Sequence, residues 1–315
     1  MKSLFLILFT FCTLLSAEEG AQKAAKKILE LNNLMNSHDD FSVKCTMLST
    51  MEYDQESLKK KYKELYHVMA LSMQNSSDRF LMTAYVKDRK KFAITSKHLN
   101  KPKLALKVKR NAPKDELPIK FQERDKSTRA FSDGVNIYSE HLSGEQVFHA
   151  TFEKNKDIFK NEKLYGLMVS FPFITEPMFV KDKLKEELSD PNNKFSMNGE
   201  EIIIKRKGLI KRISFCEKGY VKKLIYDMTE MSNSLYNSDP LTGKVDKNFK
   251  PVLNATITFE FSEWKHEVKD DDLKVEITKD KPLQNMDKYL NAKPAPATGP
   301  KIYGGRSAAG RAKKK

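Results

Sequence analysis

Almost every apolar run in this chain is the length of a β-strand, and that narrows the possible folds more than any other feature. Phe41 to Met51 alternates, with Phe41, Val43, Cys45 and Met47 sharing one face. Period-two alternation marks a half-buried strand. Similar short runs follow at Phe80–Val86, Lys91–Ser96, Lys103–Lys109, Ile119–Glu123, Arg129–Phe131, Val135–Glu140 and Gln146–Phe152. Further on come Glu201–Lys207, Ile210–Glu217, Gly219–Met228 and Ala255–Trp264. Clusters of Asn, Asp, Pro, Gly and Lys separate them. Ser132-Asp133-Gly134 and Ser143-Gly144 read as hairpin turns, where glycine supplies the positive φ.

Helical signals are few. In Ala21–Asn36, the residues Ala24, Ile28, Leu31 and Met35 recur at three-to-four spacing, which predicts an amphipathic helix. Gln55–Tyr66 reads as a short helix running into a strand that carries Leu65, His67, Met69, Leu71 and Met73 on one face. Lys163–Val180 is the most apolar part of the chain after residue 17. Pro172 and Pro177 keep it from forming one straight helix. One helix and a long antiparallel meander need a cover for the apolar face of the sheet. The helix and Leu164–Val180 are the covers in sight. A wide sheet curls, and a curled sheet closed by small helices encloses a cavity.

The first seventeen residues, MKSLFLILFTFCTLLSA, have their own grammar. Lys2 precedes an apolar run from Leu4 to Leu15, and the small residues Ser16 and Ala17 follow. That is the pattern of a secretory signal peptide, with cleavage expected before Glu18. The run is short of the roughly 20 apolar residues that span a bilayer. A retained membrane anchor is the alternative. With a mean hydropathy of −0.60, no second segment is apolar enough to span. The chain is therefore expected to be periplasmic or otherwise exported.

The net charge is +15, and seven of the basic residues lie from Lys293 to Lys315, where there is no acid. That Pro/Gly/Ala-rich tail reads as disordered. It suits an anionic membrane surface. The remaining lysines read as a solvated surface, and no RNA-binding motif or basic recognition helix points to nucleic acid. If the leader is removed, Cys12 goes with it. Cys45 and Cys216 remain in a compartment that can oxidise thiols. Cys45 shares the parity of the apolar face, whereas Cys216 opposes Ile213 and Phe215. That argues against a disulfide unless a bulge intervenes.

Four stretches resemble the LolA/LolB-like family of periplasmic lipoprotein carriers and its lipid-binding relatives. An opening helix runs straight into a strand, from Ala24-Ala25-Lys26-Lys27-Ile28-Leu29 to Phe41-Ser42-Val43. Ser132-Asp133-Gly134-Val135-Asn136-Ile137-Tyr138 looks like the family's hairpin, with Glu145-Gln146-Val147 as its return. Gly219-Tyr220-Val221-Lys222-Lys223-Leu224-Ile225-Tyr226-Asp227 resembles one of its strands, and Ala255–Trp264 resembles its closing strand. Lys181–Met197, Ser234–Pro251 and the basic tail depart from the pattern.

The resemblance implies an α+β fold for residues 18–292. It would be a curled antiparallel sheet, an incomplete barrel, with an N-terminal helix and short helices covering an apolar cavity. It also implies a carrier or sensor of the outer-membrane lipoprotein-sorting type, binding a lipid acyl chain or lipoprotein. Phe171, Phe173, Ile174, Met178 and Phe179 are the expected lid or, equally, ordinary core packing. Phe41, Val43, Met69, Phe92, Phe148, Ile225 and Phe259 are the expected cavity wall.

Other chemistry finds little purchase. No phosphate loop, HExxH, CxxC or GxSxG is present, so no cofactor, metal or enzyme activity is expected. His141 and His149 flank the Ser143-Gly144 hairpin, where a metal site competes with a solvated turn. A cell-envelope adhesion or structural protein and a secreted hydrolase are the competing readings.

Overall fold

The computed structural model describes residues 19–35, 37–63, 66, 73–88, 91–100, 103–108, 119–151, 187–236, 246, 248–274, 276, 278 and 280–287. The expected leader (1–17), the expected strand carrying Met69, Lys163–Val180 with its five lid candidates, and the basic tail from Lys293 lie outside these residues.

The chain begins with helix α1 (19–35). Ala24, Ile28, Leu31 and Met35 are all buried, so the apolar stripe faces the core as its spacing predicts. Ser37 closes the helix, its amide donating to Asn33 O and its hydroxyl to Leu34 O. Strand β1 (Phe41–Tyr53) follows. Then comes α2 (Gln55–Tyr62), capped by the Asp54 carboxylate, which accepts from Ser57 N at 3.0 Å.

The strands after α2 are β2 (Ser76–Lys87), β3 (Lys91–His98), β4 (Lys103–Val108), β5 (Ile119–Arg124), β6 (Thr128–Asp133), β7 (Asn136–His141) and β8 (Val147–Thr151). Past residue 187 come β9 (Lys194–Asn198), β10 (Glu201–Arg206), β11 (Leu209–Phe215) and β12 (Val221–Asp227). Helix α3 (Thr229–Tyr236), β13 (Val252–Lys265) and β14 (Leu283–Asn285) complete the order.

Twelve strands make one unclosed, curled sheet in the order β14-β8-β7-β6-β3-β2-β1-β13-β12-β11-β10-β9, while β4 and β5 form a separate hairpin. Every pairing is antiparallel except that of β14 with β8. The expected α+β architecture is therefore present. Ala255–Trp264 lies mid-sheet, however, as part of β13 between β1 and β12.

Local chemistry sets the turns. At the β6–β7 hairpin, Asp133 Oδ1 accepts from Val135 N and Asn136 N at 2.8 and 2.7 Å, and Gly134 has φ +93°. Between β10 and β11, Lys207 and Gly208 both have positive φ, +40° and +81°, as a two-residue hairpin with the sheet's twist requires. Gly208 O accepts from Met231 N, which seats α3 on that turn.

Helix α3 has no counterpart among the expected elements. Asn233 explains why it forms without a clear apolar stripe. Its buried amide donates to Val252 O and accepts from Val252 N, both at 2.8 Å, clipping the helix to the start of β13. Strand β9 arises within a stretch read as an insertion, and it gains its place by pairing with Ile-rich β10.

Candidate functional site

One face of the sheet carries nearly all of the large core. A row of cross-strand partners runs Met197, Ile202, Ile213, Leu224, Phe259, Met47, Phe80 and His98, from β9 across to β3. A second row runs Phe41, Val86, Phe92, Ser132, Ile137 and Ala150. Between them lies Val43, Ala84, Ile94, Ala130, Ser139 and Phe148. Helix α1 lies on this inner face over β9–β12. Gly20 approaches Met197, Lys27 Nζ sits 5.4 Å from the Phe215 ring centroid, and Leu34 packs on Gly219.

The two halves of the face differ. Under α1 the side chains are bulky. Across β2–β8 several are small: Ala84, Ala130, Ala150, Ser96, Ser132 and Ser139.

Of the cavity residues expected from sequence, Phe41, Val43, Phe92, Phe148 and Phe259 lie on this inner face. Ile225 does not. It pairs with Arg212 and Thr258, one position off from Leu224, and so belongs to the outer face. An irregularity in the β11–β12 register between Ser214 and Phe215 leaves Val221 and Leu224, three residues apart, both buried. Met69 and the five residues of Phe171–Phe179 are outside the described residues.

Polar groups interrupt the inner face at two places. At the β2–β3–β6 end, Asp78 accepts from Lys126 Nζ at 2.5 Å and lies 3.2 Å from His98 Nε2. Burial pushes the Asp78 carboxyl upward, but hydrogen bonds and charge from Lys126 and His98 outweigh it and hold it below its usual 3.8. One step along, Ser96 and Thr128 face each other across β3–β6. Both hydroxyls are buried and, among the described residues, have no hydrogen-bond partner. On β11, Lys211 sits in register between Ile204 and Tyr226 and pairs with Glu187 at 2.5 Å.

These polar residues share the parity of the apolar residues on their own strands: Asp78 with Phe80 and Met82, Ser96 and His98 with Ile94, Thr128 with Ala130. A polar residue at an apolar parity was the signal available in the sequence, and a search for motif spacing passes over it.

Other features frame the face. His38 stacks on His266 at 3.7 Å, and His266 contacts the Tyr220 hydroxyl. Burial and the nearby His38 charge lower the His266 pKa, against a backbone hydrogen bond with Asp40. Cys45 and Cys216 are unpaired, and burial pushes the Cys45 thiol up to about 12. His141 and His149 lie on opposite faces, since His141 pairs with Thr128 while His149 pairs with Tyr138. On the outer face, buried Glu140 holds Arg129, and Thr278 and Lys281 reach it from the segment before β14. No described helix is long and apolar enough to cross a membrane.

No protein-family model matches the chain, and no curated protein does. Solved structures that resemble it distantly include the following two. One is a DUF1329 family protein from Desulfovibrio piger, at 8% identity and TM-score 0.29, covering 79% of this chain and 94% of that one. The other is a domain described as an outer membrane lipoprotein-sorting protein, from Vibrio parahaemolyticus. It shows 11% identity and TM-score 0.27, over 82% of this chain and 97% of that one. Likeness at this level carries no argument about function.

Proposed function

We propose that this chain is an exported carrier or sensor, not a catalyst, that takes an acyl chain of a lipid or lipoprotein against the inner face of its sheet. The observation that carries the reading is the inner face itself. Apolar partners run unbroken from Met197 on β9 to Phe80 on β2, one half of the face is covered by α1, and in the other half the small side chains Ala84, Ala130, Ala150, Ser96, Ser132 and Ser139 alternate with Phe92, Ile94 and Ile137.

The driving force is transfer of methylenes out of water, about 0.8 kcal/mol each. Ten methylenes would contribute about 8 kcal/mol, equivalent to about micromolar affinity before ordering costs. Export is supported by Lys2 and the Leu4–Leu15 run.

An apolar fluorescent probe should bind the chain and be displaced by long-chain acyl lipids at one equivalent. A probe that never binds, or that acyl lipids fail to displace, would overturn the reading.

A further inference from the structure

The inner face of the β3–β6 pair changes character in even steps. Phe92 and Ser132 are partners, then Ile94 and Ala130, then Ser96 and Thr128. Beyond them, at the same parity, lie His98 and Lys126 with Asp78. Same-face positions along a strand are about 6.7 Å apart. Apolar surface therefore gives way to a hydroxyl pair and then to an ionic group within about 13 Å. At the last step Lys126 reaches solvent, its side chain 44% exposed, while the His98 and Asp78 side chains beside it are 3% and 9% exposed.

The hydroxyl pair is the unusual part. Ser96 is 2% exposed and Thr128 8%, yet neither oxygen has a partner among the described residues. A buried hydroxyl left unmade costs free energy that a closed core avoids. Both can donate. Lys126, two residues before Thr128, is already answered by Asp78.

We infer that Ser96 and Thr128 form a polar subsite that donates hydrogen bonds to the carbonyl oxygen of an uncharged acyl ester. The alkyl chain would run over Ile94, Ala130, Ala84 and Phe92, and the alcohol part of the ester would lie beside Asp78, His98 and Lys126. The inference rests on the acyl-carrier reading and adds the linkage that the site selects. An ester is the chemistry that fits: alkyl chain, carbonyl acceptor and polar head in the order the strand pair presents them.

The test compares monooleoylglycerol with the matched oleyl glycerol ether, which lacks the carbonyl, and with oleate, each displacing an apolar fluorescent probe from the full chain. The ester should displace the probe at about tenfold lower concentration than the ether, the worth of one or two net hydrogen bonds. The double variant Ser96→Ala, Thr128→Val should erase that difference while still binding the probe, and should not lower the ligand-free melting temperature, because neither hydroxyl has a hydrogen bond to lose among the described residues. Should the double variant not fold, Ser96→Ala alone should cut the ester preference to about threefold. Equal displacement by ester and ether, or preference for oleate, overturns the subsite while leaving the carrier reading in place. A chain that binds no apolar probe overturns the carrier reading itself.

Discussion

Removing the Arg129 guanidinium should destabilise the sheet far more than removal of an ordinary surface charge. Glu140 is only 2% exposed. Its Oε1 is held by Arg129 Nε and by the Thr278 hydroxyl at 3.3 Å. Among the described residues its Oε2 has no hydrogen bond, and Lys281 Nζ lies 3.7 Å from it. Arg129 also donates to Thr278 at 2.9 Å, and Lys281 donates to His141 O and Leu142 O. The cluster thus pins Thr278 and Lys281 across the outer face of β6 and β7.

Breaking a buried pair from one side costs about 3–5 kcal/mol, because the other charge stays buried. Lys281 remains close, so Arg129→Ala should cost about 3 kcal/mol, the low end of that range. For a chain of this size, with an unfolding entropy of about 2.1 cal/mol/K per residue, that is a melting-temperature drop of about 5 °C. Replacing both partners, as Arg129→Met with Glu140→Leu, removes the stranded charge and should restore most of the loss. Urea denaturation of the two single variants and the double one measures the coupling. A loss under about 1 kcal/mol for Arg129→Ala would place the pair among screened surface ion pairs and refute the reasoning.

Acid should act in two separate windows. The His266 pKa is lowered on folding, so its contribution is full above the unfolded value of 6.5 and is lost as pH falls through the folded one; His266→Phe should flatten that limb of a stability–pH curve. The Asp78 pKa is also lowered, so its contribution is full above 3.8 and is lost at lower pH, a limb that Asp78→Asn should remove. Deleting residues 293–315, with their seven basic groups, should leave the melting temperature unchanged and weaken binding to anionic vesicles most at low salt. Vesicle binding that survives the deletion would assign the attraction to the lysine-rich body.

The legible parts of the fold were those written in local periodicity. α1 shows its stripe in Ala24, Ile28, Leu31 and Met35, and β1 shows its face in Phe41, Val43, Cys45 and Met47, because each pattern repeats within one element. The Cys45–Cys216 parity mismatch was legible for the same reason. What depends on distant pairing was not. The place of β13 at mid-sheet comes from its register with β1, some 200 residues earlier in the chain. The burial of Glu140 depends on Thr278 and Lys281, and α3 exists because Asn233 bonds Val252.

The candidate site divides along the same line. Phe92 and Phe259 could be placed on the inner face by alternation. Leu224 was exchanged for Ile225 because a bulge shifts the face and leaves no mark in the sequence. Ser96, Thr128 and Asp78 were visible as polar residues at apolar parity, but their meeting needs the β2–β3–β6 register.

The most direct measurement is the native mass of the mature protein taken from the cells that make it, without added lipid or detergent extraction. The expected result is a chain beginning near Glu18 that carries one acyl lipid of defined mass, released on unfolding. A mass equal to the polypeptide alone, from protein that also fails to take up acyl lipid offered in vesicles, would contradict the claim that the inner face is a binding site.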